Sequence, residues 1–568
     1  MTLWGPIDLG DGLWRFRLWA PDRPNMSLEI EGGALISMIA LGEGWFAAEA
    51  RVSPGTRYRF RLDADAAVPD PASRCQSGGV HGWSVVTAVT RPTRAWRGRP
   101  WAETVIYEIH AGLAGGFAAI VAQLPTLAEL GVTAIELMPI NSFGGTRNWG
   151  YDGVLPFAPA EAYGTPDDLH ALIDAAHAHG MMIFLDVVYN HFGPDGNYLG
   201  AYAASFFHAE RDTPWGGAVA MDRMPVAAYF RENALMWLND YGFDGLRFDA
   251  VHAIGDNGFL DWLAREIRDA TGADRHVHLM LENEHNDPDR LIPGRYDAQW
   301  NDDFHNVMHV MLTGEQDAYY ADFAEQPAQK LARCLEQGFI YQGEASVHQA
   351  GKRRGAPSAH LAPTAFIAFL QNHDQVGNRA MGDRLVTLAD PQRLRAATAL
   401  LLLMPHIPML FMGEEAGSTS PFLFFTDFHD ELADAVRDGR RREFASSAAF
   451  ASAEARAHIP DPNAPETFER SRSVEAADAE AWRAFYRSLL LLRKTHIVPG
   501  LDGCQSVGAQ AVSAGAVRAE WRMGGGDRLT ILLNLGDMPV PPVDVGTPLF
   551  AVGNAGAPAS CAVWITPA

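Results

Sequence analysis

At 568 residues the chain exceeds the length that one hydrophobic core usually serves, so two to four domains are expected. A hydrophobic fraction of 48% with 20% charged residues argues against a disordered or fibrous chain. The formal net charge of -24 argues against nucleic acid and anionic membranes as partners and points to a neutral small molecule, although solubility alone also accounts for it.

Met1 to Gly12 carries no basic patch followed by an apolar run, and nowhere do about 18 apolar residues run together. Cys75, Cys334, Cys504 and Cys561 lie far apart without metal-site or redox spacing, and read as free buried thiols. A cytoplasmic protein is expected.

Alternation such as Leu13-Trp14-Arg15-Phe16-Arg17-Leu18 and Tyr58-Arg59-Phe60-Arg61-Leu62, broken by turns like Pro54-Gly55, predicts a β-sandwich module over 1–97. Arg91 to Trp101, rich in arginine, proline and tryptophan, reads as a linker. From Glu103 strand and helix signals alternate, the mark of a parallel sheet. Eight strands are predicted: Thr104 to His110, Val132 to Ile140, Met181 to Val188, Phe243 to Asp249, Val277 to Glu282, Tyr296 to Trp300, Ala365 to Gln371 and Ile407 to Phe411. Eight such units over 98–496 imply an α/β fold, a closed (β/α)8 TIM barrel.

One helix is legible end to end. Thr165 caps it, Pro166 fits its first turn, Asp167 and Asp168 suit its positive end, and Gly180 closes it. Leu169, Leu172, Ile173 and Ala176 form its buried stripe. Leu489 to Lys494 ends a final helix, and the short alternating runs of 497–568 predict a C-terminal all-β domain, read as a sandwich.

Polar clusters follow four of the strands: Asp186-Asn190-His191, Arg247-Asp249-His252, Glu282 and His373-Asp374. In such barrels the strand C-termini form the active site, and two carboxylates meeting there suit glycoside hydrolysis, which needs one acid and one nucleophile. Arg247 and Asp249, two residues apart, point the same way, so the guanidinium keeps Asp249 ionised as a nucleophile. Glu282, after an apolar strand, suits the general acid, with Glu284 as its rival. Asp374 is expected to bind sugar hydroxyls and help distort the ring, with His373 and His191 beside it and Tyr151 stacking on the sugar. Taken singly, each has a plainer reading as a helix cap, structural ion pair or satisfied core histidine.

Asp186-Val187-Val188-Tyr189-Asn190-His191, Gly245 to His252, Glu282 and Asn372-His373-Asp374 resemble the four signature segments of the α-amylase family of glycoside hydrolases. The resemblance implies Asp249 as nucleophile, Glu282 as acid/base and Asp374 as transition-state stabiliser. It also places Trp149, Asp152 and His252 with Tyr151, His191, Arg247 and His373 in the substrate-binding set. Arg147 to Gly153, Gln371 to Ala380, Pro421 to Asp427 and Asp461 to Phe468 are similar to the branch of that family acting on malto-oligosyltrehalose. That similarity implies retaining hydrolysis of the α-1,4 bond beside the trehalose end, with no cofactor and no metal ion. The alternatives are a glucan branching enzyme, which passes the glycosyl group to a sugar hydroxyl, and a non-catalytic glucan-binding protein.

Overall fold

The computed structural model describes residues 3–568 apart from 34, 89–95, 214, 256, 542 and 544. The eight expected apolar runs form β1 (Ile106–Ile109), β2 (Ala134–Leu137), β3 (Met182–Val187), β4 (Gly245–Phe248), β5 (His278–Leu281), β6 (Ala298–Trp300), β7 (Phe366–Ala368) and β8 (Ile407–Phe411). They pair in parallel in this order and close β8 onto β1. Alternation along each strand separates two cores. Ile106, Met182, Phe184, Met280, Trp300, Phe369 and Met409 fill the barrel, whereas Tyr107, Ile109, Leu246 and Phe248 join the core outside it. Gly245 is needed for this filling, because a Cβ there would stand 2.8 Å from the Phe184 ring.

The helix Pro166–Ala178 has the expected ends. Thr165 Oγ1 accepts from Asp168 N at 3.1 Å, Asp168 accepts from Thr165 N at 2.9 Å, and Gly180 adopts φ +71° beyond the last turn. Leu169, Leu172, Ile173 and Ala176 are buried against the barrel.

The N-terminal module is the expected sandwich. One sheet is built on the Leu13–Trp19 and Trp45–Arg51 pair, the other on Ser27–Ile30 with Arg57–Arg61. Trp14, Phe16, Leu18, Leu28, Tyr58 and Phe60 fill the space between them. Glu232 on the barrel helix Met224–Leu235 holds the module, accepting from Leu3 N at 2.7 Å and Trp4 N at 2.9 Å. Residues 91–95 of the expected linker lie outside the described residues; Trp96 beyond them donates to Asp244 Oδ1 at 2.8 Å at the barrel's N-terminal end.

The C-terminal region corrects the expectation of a sandwich. Among the described residues it is a single antiparallel sheet, ordered Gln505–Ser513, Ala516–Arg522, Arg528–Asn534, Ser560–Thr566 and Phe550–Val552. A second sheet is not required, because the barrel helix Pro391–Leu403 packs on this one while Leu532, Ala562 and Trp564 cluster with Val540 from a loop. The cysteines are all unpaired; Cys334, Cys504 and Cys561 are buried and Cys75 is half-buried. Among the described residues no helix is long and apolar enough to cross a membrane.

Candidate active site

Arg247 and Asp249 project to one side because Phe248 between them turns into the outer core. Asp249 lies one residue past β4, and its N–H still donates to Val187 O of β3 at 3.1 Å, which fixes its direction. The next residue, Ala250, adopts the left-handed conformation at φ 39°, a strained choice for a residue with a Cβ. That turn aims Ala250 N–H at Glu282 Oε2, 2.7 Å away. Glu282 stands at the corresponding place one residue past β5, with its own N–H on Phe248 O at 3.0 Å.

One guanidinium joins three carboxyl groups. Arg247 Nη1 donates to Asp186 Oδ2 and to Asp249 Oδ1, each at 2.7 Å, and Nη2 donates to Glu282 Oε2 at 2.9 Å. Arg247 is buried and lies 4.0 Å over the Trp300 ring, so its charge is anchored from below as well. Burial opposes ionisation of Asp249, but Arg247, His191 and the Asn190 amide together outweigh it and hold the carboxyl below its usual range. Asn190 Nδ2 donates to Asp249 Oδ2 at 2.7 Å. Glu282 moves in the opposite direction: burial, with the charges of Asp249, Asp302 and Asp374, outweighs Arg247 and raises it well above the usual range. Two carboxyl groups on one arginine are thus pushed in opposite directions, Asp249 towards the ionised form and Glu282 towards the protonated form. Burial also lifts Asp186, to about 6, against the pull of Arg247.

Tyr151 and His373 make one wall. Their rings stack at 4.9 Å and 22°, and Tyr151 OH donates to Asp186 Oδ2 at 2.6 Å. His373 is buried, yet the Glu108 carboxylate, which also accepts its backbone N–H at 2.9 Å, holds its imidazole above the ordinary range. Trp149 stands behind this wall: it is 5% exposed, gives its indole N–H to Leu423 O at 2.9 Å and meets the His373 ring edge-on at 5.7 Å. His191 donates from Nε2 to Tyr151 O at 2.9 Å, contacts the Asn190 amide through Nδ1 and stacks on Trp215 at 5.3 Å. Asp152, beside His191, accepts from Asn148 Nδ2 at 2.7 Å. His252 lies further out on the rim, with Nε2 3.5 Å from Glu284. Asp374 is half-buried in the first turn of His373–Gly377 and accepts from Asn378 Nδ2 at 2.7 Å.

The two rival glutamates are thus in different surroundings. Glu282 is half-buried on Arg247 and a backbone N–H; Glu284 is exposed and bonded to Gln349 at the rim. Sequence reasoning passed over Glu108, Glu136, Trp300 and Asp302. Glu108 and Glu136 occupy the inward positions of β1 and β2 and are 1% exposed, and burial next to Asp186 and Glu108 keeps Glu136 far above the usual carboxyl range. Among the described residues no group of three or more His, Cys, Asp or Glu is arranged to hold a metal ion.

Residues 81–215 match the family model described as alpha amylase, catalytic domain, and residues 504–563 match a domain of unknown function, DUF3459. A malto-oligosyltrehalose trehalohydrolase of Deinococcus radiodurans is 41% identical over 511 residues, covering 86% of this chain and 82% of that protein. The chain belongs to the malto-oligosyltrehalose trehalohydrolase family. A crystal structure from Salmonella typhimurium, named there as an alpha amylase, superposes on all of both chains with a TM-score of 0.94 at 46% identity. By contrast with the trehalohydrolase match, a 1,4-alpha-glucan branching enzyme of Bradyrhizobium is 38% identical over 162 residues, 26% of this chain and 23% of that one.

Proposed function

We propose that the chain is a retaining glycoside hydrolase that cleaves the α-1,4-glucosidic bond next to the trehalose end of malto-oligosyltrehalose, releasing trehalose and a malto-oligosaccharide. The observation that carries the mechanism is the shared grip of Arg247 on Asp249 and Glu282, on neighbouring nitrogens of one rigid fork. That arrangement suits the carboxyl separation of about 5 to 5.5 Å at which a retaining pair works. Family membership supports the substrate.

In the first step the ionised Asp249 attacks the anomeric carbon while its bond to the leaving oxygen breaks, and Glu282 transfers its proton to that oxygen. Oε2 of Glu282 is occupied by two donors, which leaves Oε1 for the proton. The sugar is then an ester of Asp249. Next Glu282, now a carboxylate, takes a proton from water as the water oxygen attacks the same carbon; the ester bond breaks and Asp249 is freed. Two inversions give net retention. Asp374 accepts hydroxyl hydrogen bonds of the ring as it flattens, and Tyr151, His191 and His373 hold the same ring.

Three parts divide the work: 1–97 as a module packed on the barrel, 98–496 as the catalytic barrel and 497–568 as the C-terminal domain. Four unpaired cysteines suit a reducing cytoplasm. Product analysis tests the reading: incubation with malto-oligosyltrehalose should yield free trehalose, and incubation with plain maltodextrin should yield none. Absence of trehalose from the first reaction contradicts the substrate.

A further inference from the structure

Two adjacent aspartates follow β6 in opposite surroundings. Asp303 is buried and its carboxylate is saturated. It accepts from Asn286 Nδ2 at 2.8 Å, Ile340 N at 2.8 Å and Tyr341 N at 3.0 Å, and it pairs with Arg354. Asp302 is half-buried, and its carboxylate has one long hydrogen bond among the described residues, 3.4 Å from Gln375 Nε2 to Oδ1. Asp303 therefore supports the fold, whereas Asp302 keeps a carboxyl group with little hydrogen bonding among the described residues, near Glu282 and Asp374.

The barrel decides what that carboxyl group meets. β6 lies between β5, which leads into Glu282, and β7, which leads towards Asp374. In a closed ring of eight strands β6 also stands across from β2, the strand that precedes Tyr151. Glu282 gives its proton to the leaving oxygen, so the departing sugar lies beside Glu282, and Asp302, close enough for its charge to act on Glu282, stands on that flank.

We propose that Asp302 binds a hydroxyl group of the first sugar on the leaving side of the scissile bond. This rests on the hydrolytic reading above. Gln375 sets the orientation: its Oε1 accepts from Tyr319 OH at 3.0 Å, which turns its amide N–H towards Asp302. Burial and the neighbouring Asp374 charge, opposed by Arg354 and Arg247, push the Asp302 carboxyl up to about 7. Near neutral pH it therefore keeps a proton part of the time, and a protonated carboxyl group both donates to and accepts from a sugar hydroxyl.

Asp302→Ala and Asp302→Asn test this with two substrates, malto-oligosyltrehalose and α-maltotriosyl fluoride, whose leaving group is fluoride and carries no sugar. For Asp302→Ala, kcat/KM on malto-oligosyltrehalose should fall about 10-fold or more, mainly through KM, with a loss on the fluoride at least about five times smaller. Asp302→Asn, which keeps a donor and an acceptor in place, should recover part of the loss. Equal losses on both substrates, or no loss on either, overturn the proposal. A wild-type enzyme that hydrolyses the fluoride yet releases no trehalose from malto-oligosyltrehalose overturns the functional reading itself, and this inference with it.

Discussion

Arg247 Nη1 lies 2.7 Å from Asp249 Oδ1, two positions along the chain, while the same nitrogen holds Asp186 at 2.7 Å. Breaking such a buried group by removing the cation leaves buried carboxyl groups without a counter-charge and costs about 3 to 5 kcal/mol. Arg247→Met should therefore lower unfolding stability by that order in a urea titration. Arg247→Lys keeps the charge but cannot reach three carboxyl groups, so Asp249 rises and the acid limb of kcat/KM should move up by about 1 to 3 pH units. An unmoved limb would contradict the role of the guanidinium.

Asp249→Asn keeps the shape of the side chain and removes the nucleophile. Turnover should fall by at least about 10³-fold, with the far-ultraviolet circular dichroism unchanged. Full activity in this variant reassigns the nucleophile.

Protonation of the pair sets the pH profile. Activity needs Asp249 ionised, so it is lost as pH falls through a pKa held below the ordinary carboxylate range. It needs Glu282 protonated, so it is lost as pH rises through a pKa held well above that range. Glu282→Gln should abolish trehalose release yet retain the first step with a glycosyl fluoride, which needs no proton, and the burst of fluoride should show no alkaline limb. An alkaline limb that persists there assigns it to another group.

Eight apolar runs between helical stretches made the barrel legible, and the order Asp186, Asp249, Glu282, Asp374 along them made the rim legible as well. The cap at Thr165 was legible because its partners are three residues apart. Glu108 and Trp300 were not, since each is an inward strand position whose partner, His373 or Arg247, lies far away along the chain. Nor was Glu136, since it meets Asp186 and Glu108 only in the closed barrel and has no hydrogen-bond partner among the described residues. Trp300 reads as core until Arg247 is seen 4.0 Å above it. Asp302 and Asp303 share the first turn of Asp302–Thr313, and only the saturation of Asp303 separates the two. The C-terminal sheet was read as a sandwich because its runs are short and alternating, which calls for a facing layer; a barrel helix and a loop supply that cover instead of a second sheet.

Glu108 and His373 form a buried pair that should be visible in stability. The folded pKa of His373 is raised, so the stabilisation is fully present below the unfolded pKa near 6.5 and is lost as pH rises through the folded value. The gap in melting temperature between wild type and Glu108→Gln should therefore be widest at acidic pH and narrow on the alkaline side. A gap that widens with rising pH contradicts the pairing.

The most direct measurement of the central assignment, a retaining hydrolase built on Asp249 and Glu282, is proton NMR of malto-oligosyltrehalose during the first minutes of reaction. The account predicts that free trehalose appears together with a new malto-oligosaccharide reducing end that is α before mutarotation. A reducing end that appears first as β, or one formed without trehalose, would contradict it.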